Sequence, residues 1–161
     1  MNIRIGQGYD VHRLVDGQGL ILGGIKIPYH KSALGHSDAD VLIHAICDAL
    51  LGAANLRDIG FHFSDKDEQY KGINSKILLK DVVAKIHEKG YRIGNIDSTV
   101  VLQEPKISTY IPQMKTALAT VLNVDESCVS IKATTTESMG FEGRGEGISA
   151  QTVALLMKND S

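Results

Sequence analysis

The chain has 161 residues, of which 43% are hydrophobic and 22% charged, and this length and balance predict one soluble globular domain. A formal net charge of −2 and the absence of tryptophan argue against a nucleic-acid partner or an anionic membrane surface. No apolar run approaches the roughly 18 residues of a membrane span. The start, MNIRIGQGYD, has no signal or transit pattern, so a cytoplasmic protein is expected.

The N-terminal half predicts two strands followed by the strongest helix of the chain. Residues 2–9 alternate apolar and polar side chains as a strand does, and LILGGIKIP predicts a second strand with a Gly-Gly break. The segment HSDADVLIHAICDALLGAANL has apolar residues at helical spacing, with Ser37 or Asp38 as its N-cap. The polar residues 55–73 predict a loop.

The C-terminal half predicts two helices and three strands. A helix covers 74–89 between a capping Asn74 and Gly90, and Pro112 opens another that ends near Asn123. The predicted strands are 93–103, 127–136 and 148–158, and a glycine-rich turn covers 137–147. This order predicts an α/β (α+β-like) fold with a mixed β-sheet and helices packed on one face.

Cys47 and Cys128 are far apart in the sequence and belong to no C-x-x-C pair, which excludes zinc-finger and thioredoxin patterns. Cys47 falls in the helical pattern and Cys128 in a strand pattern. We therefore expect both thiols to be buried, reduced and inert.

Asp10 and His12 are two residues apart in a strand-like run, so their side chains share one face near the predicted strand end. Such a pair can simply cap the following turn. His44 on the predicted helix supplies a third ligand, and two imidazoles with one carboxylate suit catalytic zinc. Asp40 and Asp48, four residues to either side of His44, are expected to orient its ring.

Two further clusters can bind anions or have purely structural roles. His36, Ser37 and Asp38 come at a predicted helix N-terminus, which attracts anions, although a plain helix cap explains them equally. In KATTTES, hydroxyl groups can hold a phosphate and Glu137 can bind a hard cation such as Mg²⁺. The threonines also suit a strand by propensity alone.

The glycine-rich segment GFEGRGEG is neither a Walker A loop nor a dinucleotide-binding fingerprint. The sequence also contains no G-x-S-x-G elbow, and neither cysteine has the electropositive surroundings of a nucleophile. Any chemistry is therefore expected to be metal-assisted.

Three segments together, GYDVHRL, HSDADVLIHAICDALLGAANLRDIG and KATTTESMGFEGRGEGI, resemble the signature segments of the 2-C-methyl-D-erythritol 2,4-cyclodiphosphate synthase family. The resemblance runs over residues 3–157. It implies a homotrimer of α/β subunits with active sites between neighbours. It also implies a lyase of the non-mevalonate isoprenoid pathway, in which 4-diphosphocytidyl-2-C-methyl-D-erythritol 2-phosphate is cyclised and CMP leaves.

The same resemblance implies roles for individual residues. Asp10, His12 and His44 would hold Zn²⁺, and Glu137 would help to hold Mg²⁺ or Mn²⁺. The implied substrate-binding residues are His36, Ser37, Asp58, Gly60, Phe63, Asp65, Leu102, Lys106, Ala133, Thr134, Thr135, Phe141 and Arg144. Asp58, Thr135 and Glu137 would be the catalytic residues. The cytidine pocket would be formed around residues 102–106 and Ala133.

Some positions depart from the family pattern, and two other functions remain open. Ser64 stands where the family commonly has proline, and Ser138 and Met139 replace a basic residue and leucine. The polar segment 58–72 is the expected lid over the substrate. A phosphoester hydrolase with the same metal ligands, or a trimeric binding protein with a structural metal, are the alternative functions.

Overall fold

The chain is described by a computed structural model that covers residues 2–159. Its strands are β1 (Ile3–Asp16), β2 (Leu20–Leu22), β3 (Ile25–Ile27), β4 (Lys31–Leu34), β5 (Tyr91–Val101), β6 (Val129–Thr134) and β7 (Gly147–Lys158). Its α-helices are α1 (Val41–Ala53), α2 (Ile59–His62), α3 (Ser75–Glu88), α4 (Ile111–Leu122) and α5 (Gly140–Gly143). Short 3-10 turns cover Glu68–Tyr70, Ser108–Tyr110 and Glu126–Cys128.

Five strands form one mixed sheet in the order β4-β1-β7-β5-β6. Only the β5–β6 pair is parallel, and β1–β4, β1–β7 and β5–β7 are antiparallel. The three long helices pack on one face, and the core between them includes fully buried Leu42, Ile46, Leu79, Ile96 and Met114. The predicted α/β class with helices on one face is therefore confirmed.

The predicted helices α3 and α4 are confirmed together with their signals. Asn74 accepts a hydrogen bond from the Lys76 amide as the N-cap of α3, and Gly90 follows this helix with φ +78°. Pro112 is in the first turn of α4, and Asn123 ends that helix in the left-handed conformation.

Three predictions for the N-terminal half are wrong. The first strand does not stop at residue 9 but continues to Asp16, because its second half pairs with both β7 and β4. The segment LILGGIKIP is not one strand but a hairpin, in which Gly23 and Gly24 form the turn between β2 and β3 at positive φ. The loop predicted for 55–73 contains α2 and a 3-10 turn.

The predicted cap of the long helix is also wrong. The cap is Asp40, whose side chain accepts from the Ile43 amide, and neither Ser37 nor Asp38 caps α1. Asp40 is fully buried, and it also accepts from the amides of Gly23 and Gly24, which attaches the β2–β3 hairpin to the start of α1.

The two cysteines differ from each other. Cys47 is buried in α1, and burial raises the pKa of its thiol well above the ordinary value. Cys128 is only partly buried and lies in a 3-10 turn rather than in β6, so its predicted strand position and full burial are wrong.

Among residues 2–159, no helix combines the length and apolar character needed to cross a bilayer.

Candidate metal centre and active site

The position of the site follows from the close packing of α1 on β1. A Cβ atom on Gly6 would lie 1.9 Å from the Ala49 carbonyl oxygen, and one on Gly8 would lie 2.0 Å from that of Ala45. Only glycine at these two positions lets the backbones approach so closely. The alternating residues that follow Gly8 on the same face are Asp10 and His12, and the close packing places His44 of α1 beside them.

Asp10, His12 and His44 present three ligand atoms to one point. The His44 Nδ1 atom is 2.9 Å from Asp10 Oδ2, the His12 Nε2 atom is 3.0 Å from the same oxygen, and the two nitrogens are 3.1 Å apart. Within residues 2–159 this is the one group of three such side chains close enough to share an ion. The sequence prediction that brings these three residues together is confirmed, although Asp10 and His12 lie inside β1 rather than at its end.

The donor set fits zinc. Tetrahedral zinc with bonds of about 2.0–2.1 Å spaces its ligand atoms by about 3.3 Å, which is close to the observed triangle. Two imidazoles and one carboxylate also leave a fourth position open, as catalytic zinc sites do. This arrangement favours a catalytic over a structural metal.

Hydrogen bonds within the cluster change the pKa of Asp10 and that of His44. Burial alone would raise the pKa of Asp10, but hydrogen bonds from His12 and His44 outweigh burial and hold that pKa well below its ordinary range. Burial alone would lower the pKa of His44, but the hydrogen bond and charge of Asp10 raise it above the usual value. The cluster thus keeps one carboxylate ionised in a partly buried place, as a cation-binding site requires.

The ring of His44 is oriented by serines and not by the predicted carboxylates. Its Nε2 atom is 3.0 Å from both Ser37 Oγ and Ser75 Oγ. Asp40 and Asp48 do not contact the ring, because Asp40 binds backbone amides at the helix start and Asp48 accepts from the Ile59 amide at 2.7 Å. No sequence pattern indicated Ser75 as a partner of His44, because it lies 31 residues further along the chain.

A cavity of about 410 Å³ opens beside the three ligands. The predicted residues that line it are His36, Ser37, Gly60, Phe63 and Asp65. Four apolar or aromatic residues that the sequence analysis missed complete the lining: Ile59, Tyr70, Ile73 and Leu78. Their apolar character is ordinary core patterning in the sequence, so no signal separated them from packing residues.

Asp58 does not line this cavity. Its carboxylate accepts from the Phe61 amide at 3.0 Å and caps α2, which carries Gly60 into the lining. Within this chain, Asp58 therefore has a structural role as the N-cap of α2.

A second, smaller cavity of about 170 Å³ lies at the other end of the sheet. The predicted residues in its lining are Leu102, Lys106, Ala133, Thr134 and Thr135. Glu137 follows this group, is exposed, and has a positive φ of 52°. It does not join the Asp10 cluster in this chain.

Phe141 and Arg144 belong to a third region. Phe141 lines a cavity of about 320 Å³ that also includes His12. The exposed Arg144 forms an ion pair with Glu146, with Nε 2.8 Å from Oε1. The segment that precedes β7 is not only a turn, because α5 covers part of it.

The pairing of residues across the sheet gives the distance between the cavity of about 410 Å³ and the cavity of about 170 Å³. Asp10 pairs with Ala150, Ala150 with Val100, and Val100 with Ala133. Three strand intervals of about 4.8 Å place Ala133 roughly 14 Å from Asp10. Ala150 and Val100 between them have no exposed surface. A ligand cannot follow this row from one cavity to the other because core side chains fill it.

Comparison with known proteins identifies the family of this chain. Residues 3–157 match the YgbB family. The chain is 60% identical to a 2-C-methyl-D-erythritol 2,4-cyclodiphosphate synthase of Parabacteroides distasonis, with 100% of each chain covered.

Two solved structures are similar as well. The bifunctional IspDF of Campylobacter jejuni superposes with a TM-score of 0.95 at 40% identity, over 99% of this chain and 43% of that one. IspF of Plasmodium falciparum, in its CDP complex, superposes with a TM-score of 0.87 at 40% identity, over 98% and 97% of the two chains. The resemblance of the three sequence segments is thus confirmed, and the chain belongs to the YgbB family, the family of the 2-C-methyl-D-erythritol 2,4-cyclodiphosphate synthases.

Proposed function

We propose that the protein is a metal-dependent lyase of the non-mevalonate isoprenoid pathway. It would convert 4-diphosphocytidyl-2-C-methyl-D-erythritol 2-phosphate into 2-C-methyl-D-erythritol 2,4-cyclodiphosphate and CMP. The observation that carries the proposal is the triangle of Asp10, His12 and His44 at a cavity of about 410 Å³, in a chain of this family.

The bond changes need no protein nucleophile. An oxygen of the 2-phosphate attacks the β-phosphorus of the diphosphate, and the bond from that phosphorus to the bridging oxygen breaks. CMP leaves with the bridging oxygen and its electron pair. Because both reacting groups belong to one molecule, holding them together supplies a large part of the rate enhancement.

Zn²⁺ held by Asp10, His12 and His44 would offset the negative charge of the phosphates and polarise the phosphorus that is attacked. Glu137 is the proposed ligand of a second cation, Mg²⁺ or Mn²⁺. A single exposed carboxylate suits this role, since Mg²⁺ is usually held by one or two carboxylates together with substrate phosphates.

The remaining residues would bind and orient the substrate. His36 and Ser37 line the metal cavity and would donate hydrogen bonds to the methylerythritol phosphate. Phe63 would exclude water from the β-phosphorus, since water there would hydrolyse it. Gly60 and Asp65 would contact the sugar, and Asp58 would act through the α2 turn that it caps.

The smaller cavity would take the nucleotide. Backbone groups at Leu102, Lys106 and Ala133 would hold the cytosine, and Thr134 and Thr135 would donate to the diphosphate. Thr135 would stabilise the charge that develops as CMP leaves. Phe141 and Arg144 would contact the substrate from the segment before β7.

We further propose a homotrimer in which the active site is shared by neighbouring chains. The buried row between the two cavities supports this, because one chain offers no direct path for a substrate between them. The sheet face opposite the helices is apolar and exposed, and includes Ile5 at 68%, Tyr9 at 47% and Val153 at 48%. A second copy would cover this surface.

The oligomer is tested by light scattering on Ile5→Glu, with Ile77→Glu as the matched control. Ile77 is 58% exposed on α3, away from this sheet face. Ile5→Glu should give monomers instead of trimers and should lose cyclisation, while each chain still binds zinc. Ile77→Glu should stay trimeric. A monomeric wild-type protein with full activity would overturn the shared site.

The reaction itself is tested by phosphorus NMR with the cytidylyl substrate, with zinc and magnesium present and then chelated. Cyclic diphosphate and CMP that disappear on chelation are the expected products. Linear phosphates would identify a hydrolase instead. Tight metal binding without turnover would favour the binding protein, although three protein ligands are fewer than the four of most structural zinc sites.

We also propose a cytoplasmic location. Both cysteines are free, as expected in a reducing compartment.

A further inference from the structure

Asp38, which is partly buried, and Ser75, which is buried, form a pair on the Nε2 side of the His44 ring. Ser75 is the first residue of α3 and has no exposed surface. Its amide donates to Asp38 Oδ2 at 2.9 Å, and its hydroxyl also hydrogen-bonds to Asp38 Oδ1. The same hydroxyl oxygen is 3.0 Å from His44 Nε2. The pair therefore connects the start of α3 to a proposed metal ligand.

The positions of the protons in this chain follow from elementary chemistry. An ionised carboxylate has only acceptor sites, so the Ser75 hydroxyl must donate its one proton to Asp38. The oxygen of Ser75 then has only lone pairs left for His44, and the His44 Nε2 atom must be the donor. Ser37 does not fix this direction, since its hydroxyl can rotate to donate or to accept.

We infer that Asp38 and Ser75 are positioning residues of the metal centre: by accepting the Nε2 proton of His44, they hold the ring with Nδ1 facing Asp10 and His12. The inference rests on the proposed zinc site. With a proton on Nε2, the Nδ1 atom can give its lone pair to the ion, which would replace the proton that Nδ1 shares with Asp10 without metal.

The inference is tested first by long-range proton–nitrogen NMR on the zinc-loaded, full-length protein. His44→Gln identifies the signals of this ring by their loss. The wild-type spectrum should show the proton on Nε2. A proton on Nδ1 would overturn the inference, and this result needs no variant of Ser75 that folds.

Zinc affinity is the second measurement, by competition with a chromogenic chelator. Ser75→Ala and Asp38→Asn should weaken zinc binding by about 10- to 100-fold, the usual effect of losing a partner of a metal-bound histidine. The matched control is Ser127→Ala. Ser127 lies in a similar turn, where its amide donates to Asp125 at 2.8 Å, but it is exposed and far from His44 in the sequence.

The outcomes separate this inference from the proposed function. If the wild-type protein binds zinc and Ser75→Ala binds it equally well, the positioning role is wrong and the metal site stands. If the wild-type protein binds no zinc, the metal site and the positioning role both fail. A loss of zinc affinity in Ser75→Ala, with no change in Ser127→Ala, supports the inference.

Discussion

The two ends of the sheet differ in how completely they are built. At the β1 end, the side chains of Asp10, His12 and His44 are mutually hydrogen-bonded and partly buried. At the β6 end, Thr135 and Glu137 are near solvent, and the Glu137 amide contacts the Thr135 hydroxyl at a long 3.4 Å. One end is thus preorganised for its ligand, whereas the other is open.

This difference indicates which part of the site one chain supplies alone. Preorganised donors cost little reorganisation when an ion binds, so the β1 end should bind metal without substrate. The open β6 end has few internal hydrogen bonds to lose, and we expect it to become ordered around the nucleotide. Variants at the two ends should therefore affect different measurements.

The largest effect is expected for His44→Gln. This change removes one of three ligands, so zinc affinity and cyclisation should both fall by more than the roughly 100-fold upper limit for the loss of an outer partner. Chelator competition and phosphorus NMR measure the two losses. Circular dichroism should show an unchanged fold, and an unfolded variant would instead indicate a structural metal.

Glu137→Gln should affect the function of the β6 end of the sheet and leave the β1 end unchanged. Taking the Glu137 contact with the cation to contribute as much as a hydrogen bond to a charged group, about 1.5–3 kcal/mol, the magnesium concentration for half-maximal turnover should rise by roughly 10- to 100-fold. Zinc affinity should not change, because Glu137 is outside the Asp10 cluster. A parallel loss of zinc binding would contradict the independence of the two ends.

Gly8→Ala tests whether backbone packing positions the metal ligands. The added methyl group would meet the Ala45 carbonyl oxygen at 2.0 Å, so α1 must shift, at a cost of about 1–3 kcal/mol in the free energy of unfolding. Denaturant unfolding measures this cost, and zinc affinity should fall with it.

Gly52→Ala is the control for Gly8→Ala. Gly52 lies in α1 with open space around its Cβ position, so alanine there should stabilise the protein by about 0.4–1 kcal/mol. Equal zinc affinity in Gly8→Ala and wild type would show that the ligands do not depend on this close approach.

The smallest effect is expected for Asp48→Ala, which frees the Ile59 amide near the start of segment 58–72, the lid expected from the sequence. A lost hydrogen bond of about 1 kcal/mol should raise the ratio of hydrolysis to cyclisation by roughly fivefold. Asp48→Asn keeps an acceptor and should change the ratio less. An unchanged ratio in both variants would argue against a water-excluding role for this segment.

The sequence predicted local features better than long-range ones. The caps and ends of α3 and α4 depend on residues within one helical turn, and these were correct. Asp10 and His12 were recognised because strand spacing alone puts them on one face. The prediction that they meet His44 was also correct, and the resemblance of three segments to a known family supported it.

Three of the errors involve contacts between distant segments. Asp40 rather than Ser37 or Asp38 caps α1 because its carboxylate also binds the β2–β3 turn. Ser75 orients His44 across 31 residues, and no local pattern reveals such a contact. The extra length of β1 depends on its pairing with β7 and then with β4, which the sequence did not predict.

The segment from Ile59 to Gly72 is joined at both ends to the part of the chain that carries the metal ligands. The Ile59 amide donates to Asp48 of α1, and the Gly72 amide donates to the His36 carbonyl oxygen at 2.8 Å. A loop with both ends held in this way opens as a cooperative local unit. In amide hydrogen exchange, Ile59 and Gly72 should therefore exchange together and slowly, while amides near Lys66, between them, exchange quickly.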